Sequence, residues 1–299
     1  MFEEENSHEE IISNQEKGRL IEDYTLNLIG RFKWLRVQEI ALLNWYYEPD
    51  RNSYQYARNL VNRLLDKNLV FIQKLPEHAG TAVVLKEKGA KIVRANGFDV
   101  KRAQLQRDKC GNEFWTPPRT WKHDLLSAGF AIEAMYQMEF DLNCKWPPFL
   151  TETELRKIGA VSNRKLFENL DIPKIPDLLV ETLGGFLAIE VERARKFGEK
   201  NKKSLITNLV QTNKIGGIAM HNFNGINPER VAFAFDPTEK EGNKKINHEK
   251  NIITSTLALM KKQGVNKLEI EMYKLKVKNF GVIGYKKEKI TLELEHSLR

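Results

Sequence analysis

Two short β-rich runs, IPDLLVE (Ile175–Glu181) and FLAIEVE (Phe186–Glu192), stand on either side of TLGG. A glycine pair between such runs signals a tight hairpin turn. Side chains alternate faces along a strand. Asp177, Leu179 and Glu181 therefore share one face of the first run, and Ala188, Glu190 and Glu192 share one face of the second. A two-residue loop at Gly184-Gly185 sets Asp177 opposite Glu192. A four-residue loop from Thr182 to Gly185 sets it opposite Glu190. Either even loop puts the three acids on one side, which alternation leaves half exposed. Leu178, Val180, Leu187, Ile189 and Val191 fall on the other side and form a core face.

Three carboxylates held within a few ångströms repel, and partial burial raises the cost. A divalent cation removes the conflict, and an all-oxygen set suits Mg²⁺ or Mn²⁺. Asp177, Glu190 and Glu192 are therefore candidate metal ligands, with phosphodiester cleavage as the chemistry such a site serves. The plainer arrangement is a half-exposed sheet whose acids pair with Arg193, Arg195 or Lys196.

The segments around this hairpin alternate between helix and strand patterns. TWKHDLLSAGFAIEAMYQMEF reads as a helix capped by Thr120, and TETELRKIG carries a Thr151/Glu154 capping box. The basic helix EKNKKSLITNLVQTNKI, the strand RVAFAFD, the helix NIITSTLALMKKQG and the strand KLEIEMYKL follow. The second half is thus expected to be α/β (α+β), a small mixed sheet flanked by helices. His123 falls in the first turn of its helix, as a site residue or a partly buried structural histidine. Glu133 is an added carboxylate or a solvated acid, and Glu154 a capping residue. Arg156 is a phosphate contact or plain surface. His221 and His248 read as isolated surface residues. No tyrosine is singled out by spacing, and there is no closely spaced HxH pair, so metal-activated water is favoured over a tyrosine nucleophile.

Residues 18–100 read differently. RLIEDYTLNLIGRF, VQEIALLNWYY and DRNSYQYARNLVNRLLDKN are helical patterns, the last with Ser53 as N-cap and Ala57, Leu60, Val61, Leu64 and Leu65 as its core side. LVFIQKL and TAVVLKE are strands around the turn-rich PEHAG, and KEKGAKIVRA closes the unit. Helix, helix, helix, hairpin is the order of a winged helix, whose third helix enters the major groove. Its outward face would present Gln55, Arg58, Asn59, Asn62 and Arg63 to base edges or phosphates. Lys74, Lys86 and Lys88 would meet the flanking backbone. Residues 101–119, polar and proline-bearing, read as a connector to a second domain at 120–299.

The chain carries a formal net charge of +8, and its first 17 residues hold six Glu against one Lys. The body is therefore more basic than the total, which points to a polyanionic partner. The basic helix at 199–215 and KLKVKNFGVIGYKKEK suit a path for single-stranded DNA. No apolar run approaches the ~18–20 residues of a membrane span. The acidic start, an expected flexible leader over 1–17, has no apolar signal core. Cys110 and Cys144 have no metal-binding spacing and fit free thiols in a reducing cytoplasm.

PD followed after a hairpin turn by ExE resembles the PD-(D/E)xK nuclease pattern, with Glu192 in place of the lysine. Lys200, Lys202 or Lys203 of the following helix are candidate substitutes, or Glu192 is a further metal ligand. An N-terminal winged helix, HDLL opening a helix, ELR, PDLLV and AIEVER, in that order, resembles the plasmid replication-relaxation family, and within it the MobC-type (MOBC) relaxases. The resemblance implies a restriction-endonuclease-like second domain and nicking of one strand at a plasmid transfer origin. It implies a Mg²⁺ or Mn²⁺ site on Asp177, Glu190 and Glu192; the family's equivalent helix carries a histidine, which makes His123 a candidate catalytic residue, and Lys203 is a candidate for the role of the missing lysine. It further implies relaxosome accessory and coupling proteins as partners, and a cytoplasmic protein with no membrane insertion. A site-specific endonuclease of a restriction or transposition system, and a non-catalytic replication initiator or repressor, are the alternatives.

Overall fold

Ser13 opens the first helix: its hydroxyl accepts the Glu16 N–H at 3.2 Å and satisfies one of the free donors of the first turn. The computed structural model describes residues 13–45, 51–137, 149–155, 176–182, 185–192, 228–241 and 243–294. It divides into two units, Met1–Trp115 and Thr116–Arg299.

The first unit runs α1 (Asn14–Phe32), β1 (Trp34–Arg36), α2 (Val37–Trp45), α3 (Arg51–Asp66), β2 (Val70–Lys74), a 3-10 turn at Pro76–His78, β3 (Thr81–Leu85) and α4 (Glu87–Ala95). The strands form an antiparallel sheet in the order β1-β3-β2. Helical spacing buries Ala57, Leu60, Val61 and Leu64 of α3, with Leu65 half-buried. Ser53 lies inside α3 and is buried, so it is not the cap; the helix reaches back to Arg51. At the hairpin tip Glu77, His78 and Gly80 take positive φ. Arg36 and Glu39, both buried, form an ion pair, and the Arg36 guanidinium also donates to the Ala79 carbonyl at 2.8 Å. That pair satisfies two buried charges at once and ties the start of α2 to the tip.

Most of the expected connector belongs to this unit. β4 (Gln106–Arg107) and β5 (Glu113–Phe114) form a small hairpin. It is held by Lys86–Glu113 at 2.9 Å, by Ala103 N–H donating to the Leu85 carbonyl at 2.9 Å, and by Trp115 against Trp34 at 5.8 Å.

The second unit runs α5 (Trp121–Gln137), β6 (Phe149–Thr151), a helical turn at 152–155, β7 (Leu178–Thr182), β8 (Gly185–Glu192), β9 (Pro228–Phe235), β10 (Lys240–Glu241), β11 (Lys244–Lys245), α6 (His248–Gln263), β12 (Lys267–Lys278) and β13 (Gly281–Glu293). Six strands make one mixed sheet in the order β13-β12-β9-β8-β7-β6. The β8–β9 and β9–β12 pairs are parallel and the rest antiparallel. α6 supplies the crossover that the parallel β9–β12 pair requires.

Both faces of this sheet are core. Leu178, Val180, Leu187, Ile189 and Val191 are buried on one face, as alternation predicts. Leu179 and Ala188 on the other are buried as well, in one cluster with Phe233, Phe235 and Ile252 and Met260 of α6. The half-exposed acid face expected from the sequence is therefore a covered face. The reason is that β8 pairs in parallel with β9, and parallel sheets are covered by their crossovers. α5 packs on β12 and β13: Phe130 contacts the Tyr273 and Tyr285 rings at 5.1 and 5.4 Å.

Candidate functional site

The hairpin register follows from its turn. Thr182 pairs with Gly185, Glu181 with Phe186, Val180 with Leu187, Leu179 with Ala188 and Leu178 with Ile189. Continued one step beyond the paired residues, this register would set Asp177 opposite Glu190. This is the register of the four-residue loop, with pairing carried one step into it.

Asp177 follows Pro176 and sits in a bend just before β7. There the backbone of the first strand no longer reaches the Val191 N–H. The Asp177 carboxylate takes that place: its Oδ2 accepts the Val191 N–H at 2.8 Å. The same oxygen lies 3.2 Å from His123 Nε2, which is also 3.1 Å from the Val191 carbonyl. The Asp177 carbonyl accepts the Glu152 N–H at 2.9 Å. Asp177 thus fastens the first turn of α5, the end of β8 and the turn after β6 to one another.

His123 is charged in this setting. Burial opposes the imidazolium, but hydrogen bonds and the negative charges of Asp124 and Asp177 outweigh it and push the pKa up to about 9. Both nitrogens of the charged ring carry a proton: Nε2 donates to Asp177, and Nδ1 forms an ion pair with Asp124, 3.8 Å away.

Asp177 is 8% exposed and Glu190 1%. Glu190 aligns with Phe233, and Glu192, half-buried, with Phe235. The acids thus gather at the carboxyl ends of the parallel strands, where open α/β sheets place ligands. Among the described residues no three His, Cys, Asp or Glu side chains come together as a metal-holding group. Asp177, expected with Glu190 and Glu192 in one acid cluster, is turned to His123 and to the β8 backbone. Asp177 and Glu190 are the two buried acids here that could share a cation, and Mg²⁺ binds through one or two carboxylates and keeps several waters.

Other expectations fall out singly. Glu154 forms the capping box: its carboxylate accepts the Thr151 N–H at 2.8 Å, and the Thr151 hydroxyl accepts the Glu154 N–H at 3.5 Å. Glu133 is buried on α5 and is not a solvated acid. His248 is not a surface residue; it is buried at the start of α6, 2.8 Å from Glu239 Oε2 and against the Phe235 ring at 5.7 Å. Tyr273 is core, its hydroxyl donating to Glu271 at 3.0 Å. Lys200, Lys202, Lys203, Arg156, Arg193, Arg195, Lys196, His221, Cys144 and the basic helix at 199–215 lie outside the described residues.

On α3, Gln55, Arg58, Asn59, Asn62 and Arg63 are all exposed on one face. The Gln55 amide donates to Asn59 at 3.0 Å. Arg63 is partly committed to structure, through Glu22 of α1 at 3.2 Å. Tyr54 and Tyr56 are exposed alongside them, an aromatic addition that helical spacing alone did not single out. Lys74, exposed, closes β2 beside the tip, opposite Thr81. Lys86 and Lys88 are at the other end of that hairpin: Lys86 bonds Asn68 and Glu113, and Lys88 donates to the Lys67 carbonyl.

No family model, curated protein or solved structure matches the chain.

Proposed function

We propose that the chain is a metal-dependent DNA strand-nicking endonuclease, a relaxase that acts at a plasmid transfer origin. The observation that carries this reading is the His123–Asp177 contact at 3.2 Å, at the carboxyl end of β8, with Glu190 buried on that strand. A buried acid of this kind, held in one orientation by a charged histidine, is costly to keep for packing alone.

The element order supports it. A helix, a short strand, two helices, a hairpin with a turn-rich tip and a closing helix are compatible with the winged helix expected from the sequence. A mixed sheet in which an antiparallel hairpin leads into parallel strands is compatible with a restriction-endonuclease-like domain. In this reading the α3 face binds duplex DNA and Lys74 a flanking phosphate. Asp177 and Glu190 would hold Mg²⁺ or Mn²⁺, with Glu192 as an outer acid. A bound cation supplies an oriented water and charge stabilisation for the phosphate under attack. His123 keeps Asp177 turned to a fixed direction, and its positive charge offsets the second of two neighbouring acids. Relaxosome proteins are the partners that this activity requires.

A second reading rests on one observation: the described acids form no three-ligand group, and Asp177 already has the Val191 N–H and His123 as partners. In that reading the acids only fasten the hairpin, and the chain is a replication initiator or repressor. Supercoiled plasmid bearing the cognate origin, incubated with Mg²⁺ or Mn²⁺, separates the two. Open circles that disappear with Asp177→Ala support nicking. Linear product favours a double-strand endonuclease. Retarded but intact supercoils under both metals favour the binder. DNA that stays with protein in SDS would replace water attack by a covalent step.

A further inference from the structure

A second basic surface lies in the first unit, beside the C-terminal end of α3. A cleft of about 650 Å³ opens at the base of the β2–β3 hairpin, and Lys86, Lys88, Lys91, Arg102 and Arg107 line it. It lies at the opposite end of that hairpin from the tip. Lys74 pairs with Thr81 at the tip end and Val70 with Leu85 at the base, a span of roughly 14 Å at ~3.4 Å per residue.

Two carboxylates share the cleft. Glu113 is paired with Lys86 at 2.9 Å and Arg107 at 3.8 Å, and Glu87 with Arg94 at 2.7 Å and Arg102 at 3.7 Å. Five cations against two acids leave the lining positive. The pairs of Arg102 and Arg107 are long and solvated, so they cost little to exchange for another anion. The first turn of α4 also lines the cleft, and no side chain caps that helix. Its N-terminal dipole adds to the positive potential. The lining contains no aromatic ring and no glycine-rich loop, so nothing there stacks a base or wraps a terminal phosphate.

We propose that this cleft binds the phosphate backbone of nucleic acid without reading sequence, as a second contact beside the α3 face. The chemistry selects a backbone rather than a free nucleotide: the cations are spread along an open cleft, and the base of a nucleotide would have no partner. The proposal rests on the reading of the first unit as DNA-binding, and not on strand cleavage.

The test uses the full chain, a fluorescent duplex of unrelated sequence, and anisotropy across a salt series. Lys91→Gln, Arg102→Gln and Arg107→Gln are combined, all three being exposed side chains; circular dichroism checks the fold. Removing one phosphate contact lowers the slope of log K against log salt by about 0.9, and weakens binding roughly fivefold near ~0.15 M salt. The expected result is a decrease of that size for two or three contacts, on cognate and unrelated duplex alike. Arg58→Ala with Asn59→Ala, in contrast, weakens cognate duplex more than unrelated duplex. Unchanged affinity and slope in the triple variant overturn the proposal. So does millimolar ATP that removes the wild-type advantage over the triple variant, since the cleft would then be a nucleotide site. Wild-type protein that binds no DNA overturns both this proposal and the DNA-binding reading. Binding with the expected slope but no nicking leaves the cleft standing and removes only the proposed cleavage.

Discussion

At Asp177 a side chain does what a strand backbone does elsewhere. Its carboxylate completes the hydrogen bonding of β8 and holds a charged imidazole against the sheet. Because the His123 pKa is raised to about 9, the folded state binds a proton that the unfolded chain has lost above ~6.5. The stability from this pair is therefore full below about pH 6.5 and is lost as pH rises towards 9. Urea unfolding at pH 6, 7.5 and 9 should show that decline in wild type. It should be shallower in Asp177→Asn, with Asp124 retaining part of it; parallel curves would contradict the assignment. For activity, Glu190→Gln should slow nicking by about 10²–10³-fold. His123→Ala, which removes only the orienting group, should cost about 10–100-fold. Both should leave duplex affinity unchanged. Alternation and an even loop set Asp177 opposite either Glu190 or Glu192 from the sequence, and the pairing of β7 with β8 selects the register that continues to Glu190. They carry no information on side-chain direction within a bend, so the turn of Asp177 towards Val191 was not legible. Nor were Arg36–Glu39 and His248–Glu239 as pairs, since neither matches a motif and His248 meets Glu239 only across the β10–β11 hairpin.

Elements were more legible than contacts. The apolar spacing of α3 gives its buried stripe, and the turn chemistry of Pro76 to Gly80 gives the hairpin, because both are local. The cap at Ser53 was misplaced, since the helix extends further back than the apolar pattern requires. The burial of the acid face was misjudged, since it depends on a parallel neighbour more than 30 residues away in the chain. One close approach between elements makes a direct test. A Cβ on Gly89 of α4 would lie 2.3 Å from the Leu69 carbonyl oxygen, a backbone atom that cannot rotate away. Gly89→Ala should therefore destabilise the first unit by about 1–3 kcal/mol, lowering its thermal midpoint by several degrees; an unchanged midpoint would show that α4 shifts freely. On α3, replacing Arg58 and Asn62 with Ala should cost about 1–3 kcal/mol per base contact on cognate duplex. Arg63→Ala should also loosen the unit, because it removes the pair with Glu22.

At the scale of the molecule, the chain divides into two units, and the boundary falls inside the stretch that composition marks as a connector; the proposed function gives binding to the first and chemistry to the second. No helix among the described residues is long and apolar enough to cross a membrane. A net charge of +8 gives the chain a long-range attraction to a polyanion, while the proposed function puts specificity on the α3 face and cleavage at the end of β8, beside the Asp177–His123 contact. The central claim is that this site cuts one DNA strand with a divalent metal. The measurement that tests it most directly is the conversion of supercoiled origin plasmid to open circles over a Mn²⁺ titration, for wild type and Glu190→Gln side by side. The account predicts Mn²⁺-dependent open circles with wild type, abolished by chelator and reduced at least ~100-fold by the substitution. Equal nicking by both proteins, or tight binding with no open circles at any Mn²⁺ concentration, would contradict it.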